Sequence, residues 1–413
     1  MYRVLILILV FSLSVFAASA RKEYKQIRTS IKTGAGLDQA MKLVSQYTKD
    51  SVMREDPELY FLAAEVQRKI NDAQNMKMYL KQKTDTNVFF SSVHGIFDNL
   101  LLCDGKERVL LSNSKKKSAY SSKIHSTLTS YYPNLFNGGL YFLKKKNYVE
   151  ADKFFSMYIN AAQSPVFVSE GKIDMDSKMP RAAFWSMTSC YENKNYKDVF
   201  KFDQLAMKDT ANWDYSLRYK ALSSAYLKDT LRMIEELKAG IRLVPEDLFF
   251  FSHLTDYYNS IKAYDTALLL CDSLIQTDEK QMMYHFAKSV ELFHLKRYDE
   301  CRDLCQMILK NDTTNVDVYY YLASCYFSEA IVVDDNISPD LNRQKYKQQK
   351  DKAKSLYKQS LPYMETYRAK RPEDRVRWAA PLYRIYLSLN MGKQFAEIDQ
   401  LMKAEESEDK KKE

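Results

Sequence analysis

The sequence predicts an all-α protein built from repeated helix-turn-helix units, and two observations lead to this prediction. The chain of 413 residues contains only nine glycines and nine prolines, which favours long helices over a sheet-rich fold. The second observation is a period of 34 residues: Tyr298 and Tyr264 open the similar stretches YDEC and YDTA, and equal steps lead back to Thr230 and Tyr196. Four consecutive registers at one period predict an array of repeats.

The chain begins with a pattern typical of an export signal, at residues 1–20. Arg3 precedes an apolar run from Val4 to Phe16, and Ala18-Ser19-Ala20 fits a cleavage site for signal removal. The run is shorter than the ~20 residues that cross a bilayer comfortably. We therefore expect an exported protein of the periplasm or cell envelope, with no integral membrane span after signal removal. An uncleaved N-terminal anchor is the alternative, since the basic residues after Ala20 hinder translocation.

Residues 21–131 are predicted to form a helical region with degenerate repeats, because AGLDQAMKLVSQY and DPELYFLAAEVQRK show helical periodicity. The array itself is predicted for residues 132–331. Its first helix repeats apolar or small residues at the fourth, seventh, eighth and eleventh places. These are Tyr319, Leu322, Ala323 and Tyr326 in the unit from Val316, and Phe251, Leu254, Thr255 and Tyr258 in the unit from Leu248.

After the array, residues 332–404 are predicted to hold an interrupted repeat and C-terminal capping helices. A long helix is expected from Lys345 to Lys370, followed by a final helix pair in RWAAPLYRIYLSLNMGKQFAEIDQLMK. Residues 405–413 are expected to be a disordered tail. Two insertions, at 164–180 and 334–345, follow helix boundaries and could gather on one edge.

The period and the placement of these residues resemble the tetratricopeptide repeat (TPR), and in particular exported bacterial TPR proteins. The resemblance implies an α-α superhelix of about six to eight units with atypical terminal helices. It also implies that the first helices line a concave groove with their second, fifth, ninth and twelfth places. The groove residues selected in this way are Trp185, Arg218, Phe249, Asp256, Asn259, Phe286, Val290, Phe293, Tyr320 and Phe327.

This groove is rich in aromatic residues, which suits the capture of a peptide or protein segment. The alternative is that the rings pack against neighbouring helices or against the chain's own C-terminal helix. The Lys-x3-Asn pattern with which some TPR proteins hold a partner's terminal carboxylate is absent. We therefore expect a non-catalytic scaffold or adaptor whose protein partner the sequence does not identify. A ligand-binding or catalytic accessory acting on a glycan or cell-wall fragment is the alternative function.

Three of the six cysteines occupy core places of the repeat. Cys301 replaces Ala267 of the previous unit, while Cys305 and Cys271 share one place. Buried thiols are favoured, because free cysteine packs as a small hydrophobe. A structural disulfide, for example with Cys325, and metal or redox chemistry are the alternatives. Cys301 and Cys305 are expected to be poorly aimed at each other along one helix.

The sequence offers no motif for catalysis, a metal or a cofactor. The five histidines are scattered, and none belongs to an H-E-x-x-H pattern. Gly34 and Gly36 lack the third glycine of a dinucleotide loop. The formal charge of +9 comes from lysine runs scattered among acids, which argues against nucleic acid as a partner. Peripheral association with a membrane stays open.

Overall fold

The computed structural model describes residues 24–113, 116–170, 177–338 and 342–409. Over these ranges the chain forms 19 α-helices, three short 3₁₀ turns and no strand, so the prediction of an all-α fold is confirmed. The helices are α1 Lys25–Thr33, α2 Leu37–Tyr47, α3 Pro57–Tyr79, α4 Thr86–Leu111, α5 Ser121–Lys144, α6 Tyr148–Ala162, α7 Pro165–Glu170, α8 Met179–Glu192, α9 Asp203–Ala206, α10 Trp213–Tyr226, α11 Thr230–Leu243, α12 Leu248–Ser260, α13 Tyr264–Thr277, α14 Met282–His294, α15 Tyr298–Asn311, α16 Val316–Asp335, α17 Arg343–Lys370, α18 Arg375–Ser388 and α19 Gly392–Asp409.

The 34-residue register fixes where the second helix of each pair begins. Thr230, Tyr264 and Tyr298 are the first residues of α11, α13 and α15, and each of these helices has 14 residues. Tyr148 likewise begins α6. The first helices of two pairs, α12 and α16, begin at Leu248 and Val316, as the register predicts. The repeat prediction is therefore confirmed at these five helices and at α6.

The turns inside the pairs share a left-handed residue that is a lysine. Lys194, Lys228, Lys262 and Lys296 follow one another at 34 residues and have φ between 58° and 61°. At Lys262 the N–H donates to the carbonyl oxygen of Asn259, and the next N–H donates to that of Tyr258 at 2.8 Å. This is the Schellman arrangement, which usually uses glycine. The chain can therefore turn sharply with few glycines.

The segment after Tyr196 is the exception to the register. A second helix is expected there, but the chain forms a 3₁₀ turn, Asp198–Phe200, followed by the one-turn helix α9. Val199 is buried, Phe200 and Phe202 pack against the same core, and Lys201 lies 2.8 Å from Asp152. The expectation of a regular helix was wrong here.

The chain divides into two compact units, Met1–Phe250 and Phe251–Glu413, and the boundary falls inside the segment predicted as one array. In the first unit, α5 approaches α6 so closely that a Cβ on Gly139 would lie 2.6 Å from the Phe155 ring. A small residue at the eighth place therefore allows the two helices to pack, as the repeat requires. In the second unit, the core contains Leu322, Ala323 and Cys325 of α16.

The segments outside the array agree with most expectations. The long helix and the final pair are present as α17, α18 and α19. Residues 405–409 continue α19 rather than starting a tail, and three of these five residues are glutamate, a strong helix former. Residues 165–170 of the first insertion form α7, and residues 171–176 lie outside the described part.

The predicted export signal, residues 1–20, also lies outside the described part of the chain. Of the helices that are described, none has both the length and the apolar character needed to cross a membrane.

Candidate functional site

The second unit contains a cavity of about 410 Å³ lined by α12, α14, α16 and α18. The first helices of successive pairs supply most of its wall: Asp256 and Asn259 from α12, Phe286 and Val290 from α14, and Tyr321 from α16. Its volume falls within the range of small-molecule and side-chain pockets. We call it the Glu291 cavity, after the acid described below.

One side of the Glu291 cavity is apolar. Phe286 and Val290 lie one helical turn apart on α14 and are half-buried. The Phe286 ring contacts the Tyr321 ring edge-on, with centroids 6.0 Å apart. Phe251, on α12, packs against Tyr284 at 4.8 Å. The apolar side therefore consists of side chains fixed from behind by the core.

Glu291 supplies the main polar feature. The residue is 0% exposed, and neither of its carboxylate oxygens has a hydrogen-bond partner among the described residues. Burial raises the pKa of Glu291 to about 7. The Asn259 side chain opposes this shift and the charge of Asp256 adds to it. Because Asn259 and Asp256 both line the cavity, the carboxyl group of Glu291 faces the cavity-lining side of α12.

The positive groups of the cavity are already engaged. The Arg377 guanidinium forms an ion pair with Asp317 at 2.8 Å and lies over the Tyr320 ring, 5.0 Å from its centroid. His294 stacks on the Tyr264 ring at 4.6 Å, and burial lowers the pKa of its imidazole. Of the acids that line the cavity, Glu291 and the exposed Asp256 form no ion pair with a described residue.

Four of the ten predicted groove residues line this cavity: Asp256, Asn259, Phe286 and Val290. The other three predicted groove residues of the second unit, Phe293, Tyr320 and Phe327, do not line the cavity. Phe293 packs between Tyr298 and Tyr321, with centroids 5.9 and 5.5 Å away.

The remaining two are covered by the long helix α17, because Tyr320 contacts Tyr367 at 5.3 Å and Phe327 contacts Tyr357 at 6.1 Å. For Tyr320 and Phe327, the structure supports the alternative that the rings pack against a neighbouring helix.

The three predicted groove residues of the first unit are held by local contacts. Trp185 is half-buried against the core, beside the Phe184 ring at 4.7 Å. The Arg218 guanidinium donates to Asp247 at 2.6 and 2.9 Å and stacks on Phe249 at 4.6 Å. Arg218 also lines a second cavity of about 540 Å³, but its charge is already neutralised there.

All six cysteines are free and buried, so the favoured interpretation as packing residues is supported. Burial raises the pKa of Cys271 to about 12. The Cys301 thiol donates to the carbonyl oxygen of Ser289 at 3.1 Å. Its sulfur is 4.0 Å from that of Cys305, so the expectation that these two thiols are poorly aimed at each other was wrong. The i, i+4 spacing puts both side chains on one helix face. The described residues contain no group of three or more metal-binding side chains.

Sequence reasoning missed Glu291, Tyr321 and Arg377. Tyr321 occupies the sixth place of α16, next to the selected fifth, and Arg377 lies on a helix without repeat register. Glu291 had a signal: it is the one charged residue of the stretch SVELF, between Val290 and the buried Leu292. An acid within an apolar stretch of a helix indicates a candidate site, because burying an unpaired acid is costly.

Comparisons with known proteins give a likeness of fold alone. No protein-family model matches the chain, and no curated protein matches it. Similar solved structures include the C-terminal part of a TPR repeat-containing protein from Cytophaga hutchinsonii, with 12% identity, 64% of this chain and 95% of that chain covered, and a TM-score of 0.41. Yeast Tom70 is 12% identical; the match covers 94% of this chain and 89% of Tom70, with a TM-score of 0.28. A human IFIT1 dimer with m7Gppp-AAAA is 13% identical; the match covers 81% of this chain and 72% of the IFIT1 chain, with a TM-score of 0.36.

The chain resembles TPR proteins in these comparisons. The periodic helix starts and the recurrent lysine turns are the features of the chain itself that define its repeats.

Proposed function

We propose that this protein is a non-catalytic helical-repeat adaptor, and that it binds a segment of another protein in the Glu291 cavity. The single observation that carries the proposal is the cavity's wall. Half-buried Phe286 and Val290 face polar Asp256 and Asn259 across it. Apolar anchors beside a few oriented polar groups are typical of sites that bind protein side chains.

The contrast with neighbouring positions supports this choice. Tyr320 and Phe327 are covered by α17, and Phe293 is packed between two tyrosines. Phe286 belongs to the same aromatic series but still lines open space. Of the predicted aromatic groove residues in the second unit, Phe286 is thus the one offered to a partner.

The test is selection of peptides from a random 12-residue display library, followed by affinity measurement with purified variants. We expect Phe286→Ala to weaken the selected peptides at least tenfold, since a central aromatic residue dominates many interfaces. Leu269→Ala is the matched control, because Leu269 lies on α13, is 70% exposed and does not line the cavity. Peptides that bind both variants as tightly as the unaltered protein would place the binding surface elsewhere.

We further propose that the protein works after export, at the cell envelope. The support is the apolar run before Ala18-Ser19-Ala20. Amino-terminal sequencing of the mature protein should begin at Arg21, whereas retention of Met1 would favour a membrane anchor.

A further inference from the structure

In the described part of the chain, Glu291 is an acid without a counter-charge. Its side chain is 0% exposed, and neither carboxylate oxygen has a hydrogen-bond partner there. The Oδ1 atom of Asn259, across the same cavity, is buried and lacks a partner as well. Buried carboxylates are normally paired, because an unpaired buried charge is costly. Within the described residues, the cavity therefore presents three buried acceptor atoms without a hydrogen-bond partner.

The cations nearest the Glu291 cavity cannot supply that donor without breaking another ion pair. Arg377 is paired with Asp317 at 2.8 Å, and Lys288 of α14 is paired with Asp272 at 2.7 Å. The His294 ring stacks on Tyr264, and burial favours its neutral form. A cation from another molecule would supply the complementary charge.

We propose that the Glu291 cavity receives the cationic side chain of a lysine or arginine from a partner protein segment, with Glu291 as the buried counter-charge. This inference rests on the proposed function. A lysine ammonium carries three donors and an arginine guanidinium five, and both lack acceptors, which matches the unsatisfied oxygens of Glu291 and Asn259. The aliphatic stem of either residue packs against Phe286 and Val290, while the charged end lies in the polar part. Asp256, exposed on α12, adds attraction at the cavity.

The proposal has a pH signature. Burial raises the pKa of Glu291 to about 7, so the ionised fraction of this carboxyl group grows as the pH rises through neutrality. Binding of a cation should strengthen over the same range. The titratable or charged groups around the cavity are Asp256 on α12, Cys271 on α13, His294 on α14, Asp317 and Tyr321 on α16, and Arg377 on α18. Among these, His294 is the group with an ordinary pKa near neutrality, so its contribution has to be separated.

The experiment uses the full chain and four acetylated peptide libraries. Each library has four random positions on either side of a fixed central residue, which is lysine, arginine, norleucine or glutamate. We expect the lysine or arginine library to bind at least tenfold more tightly than the norleucine library, as a charge-assisted hydrogen bond to a buried acid implies. Glu291→Gln should abolish this preference. Glu279→Gln, on the exposed turn before α14, is the matched control and should keep it.

Affinity measured at about pH 6 and about pH 8 supplies the second readout. The preference for lysine or arginine should rise with pH in the unaltered protein and stay flat in Glu291→Gln. A rise that persists in Glu291→Gln would assign the effect to His294 and overturn the proposal. A thermal melt of Glu291→Gln confirms that this variant is folded.

The outcomes distinguish a failure of the cationic inference from a failure of the proposed function. If the norleucine library binds as well as the lysine and arginine libraries, the cationic inference fails and the proposed function stands. If none of the four libraries binds, the proposed function fails as well. Equal preference in Glu291→Gln and the unaltered protein would remove Glu291 from the site.

Discussion

At the scale of single residues, Glu291 shows how burial without a partner couples stability to pH. The pKa of this carboxyl group rises from 4.5 to about 7 in the folded chain. Between those values the folded protein keeps a proton that the unfolded chain has released. Stability contributed by this proton is present at low pH and is lost as the pH rises, which is the reverse of an ordinary salt-bridged acid.

We therefore predict that Glu291→Gln removes part of the pH dependence of unfolding. Below about pH 4 the variant and the unaltered protein should have similar free energies of unfolding, because Glu291 is then largely protonated in both the folded and the unfolded chain. At about pH 8 the variant should be more stable by about 1–3 kcal/mol, since the amide avoids the cost of an unpaired buried charge. Urea unfolding at both pH values measures the difference. A constant difference at the two pH values would show that Glu291 titrates normally.

The cysteines show how much the sequence can predict about a single residue. Their burial at positions 271, 301 and 305 could be predicted, because the register places them where other units carry alanine or phenylalanine. The 4.0 Å contact between the sulfurs of Cys301 and Cys305 could not be predicted. It depends on side-chain rotamers and on the Ser289 carbonyl oxygen that accepts a hydrogen bond from Cys301. Repeat position predicts burial, whereas pairing depends on local geometry.

At the scale of elements, the recurrent lysine turns carry a cost that glycine would avoid. Lys262 has φ of 58°, in the left-handed region that favours glycine. A side chain there costs roughly 1–2 kcal/mol, while glycine loses about 0.5–1 kcal/mol more than alanine in conformational entropy. The difference leaves a net gain for glycine.

Lys262→Gly is therefore predicted to stabilise the protein by about 0.5–1 kcal/mol. Lys262→Ala is the matched control, because it also removes the lysine side chain but retains the strained Cβ. Thermal unfolding of both variants should give the order glycine above lysine, with alanine close to lysine. If the two variants melt together, the side chain of Lys262 rather than its backbone decides the stability of this turn.

At the scale of the whole molecule, the sequence predicts the periodic part of the fold and little of the rest. Thr230, Tyr264 and Tyr298 each begin a helix because the 34-residue period repeats one packing solution. The segment after Tyr196 departs from it, because a 3₁₀ turn and a one-turn helix replace the second helix there. Phe327 fits the groove pattern, but α17, which has no repeat register, covers it. Contacts between distant segments are invisible to a local period.

The last prediction separates core from cavity in the second unit. Leu322 and Phe286 lie on successive first helices, α16 and α14. Leu322 is 0% exposed, so Leu322→Ala should cost about 2–5 kcal/mol through lost packing and a new cavity. Phe286 is half-buried and lines existing space, so Phe286→Ala should cost clearly less than Leu322→Ala.

Phe293→Ala serves as the internal comparison, because Phe293 is also half-buried on α14 but packs between Tyr298 and Tyr321. Denaturant unfolding of the three variants should give the order Leu322, Phe293, Phe286 from largest to smallest loss. The physical reason is that truncation of Phe293 loses contacts with two tyrosine rings, whereas the Phe286 ring contacts one of them and also lines open space. A loss at Phe286 equal to that at Leu322 would make Phe286 a core residue, and the cavity would then lose the anchor on which binding depends.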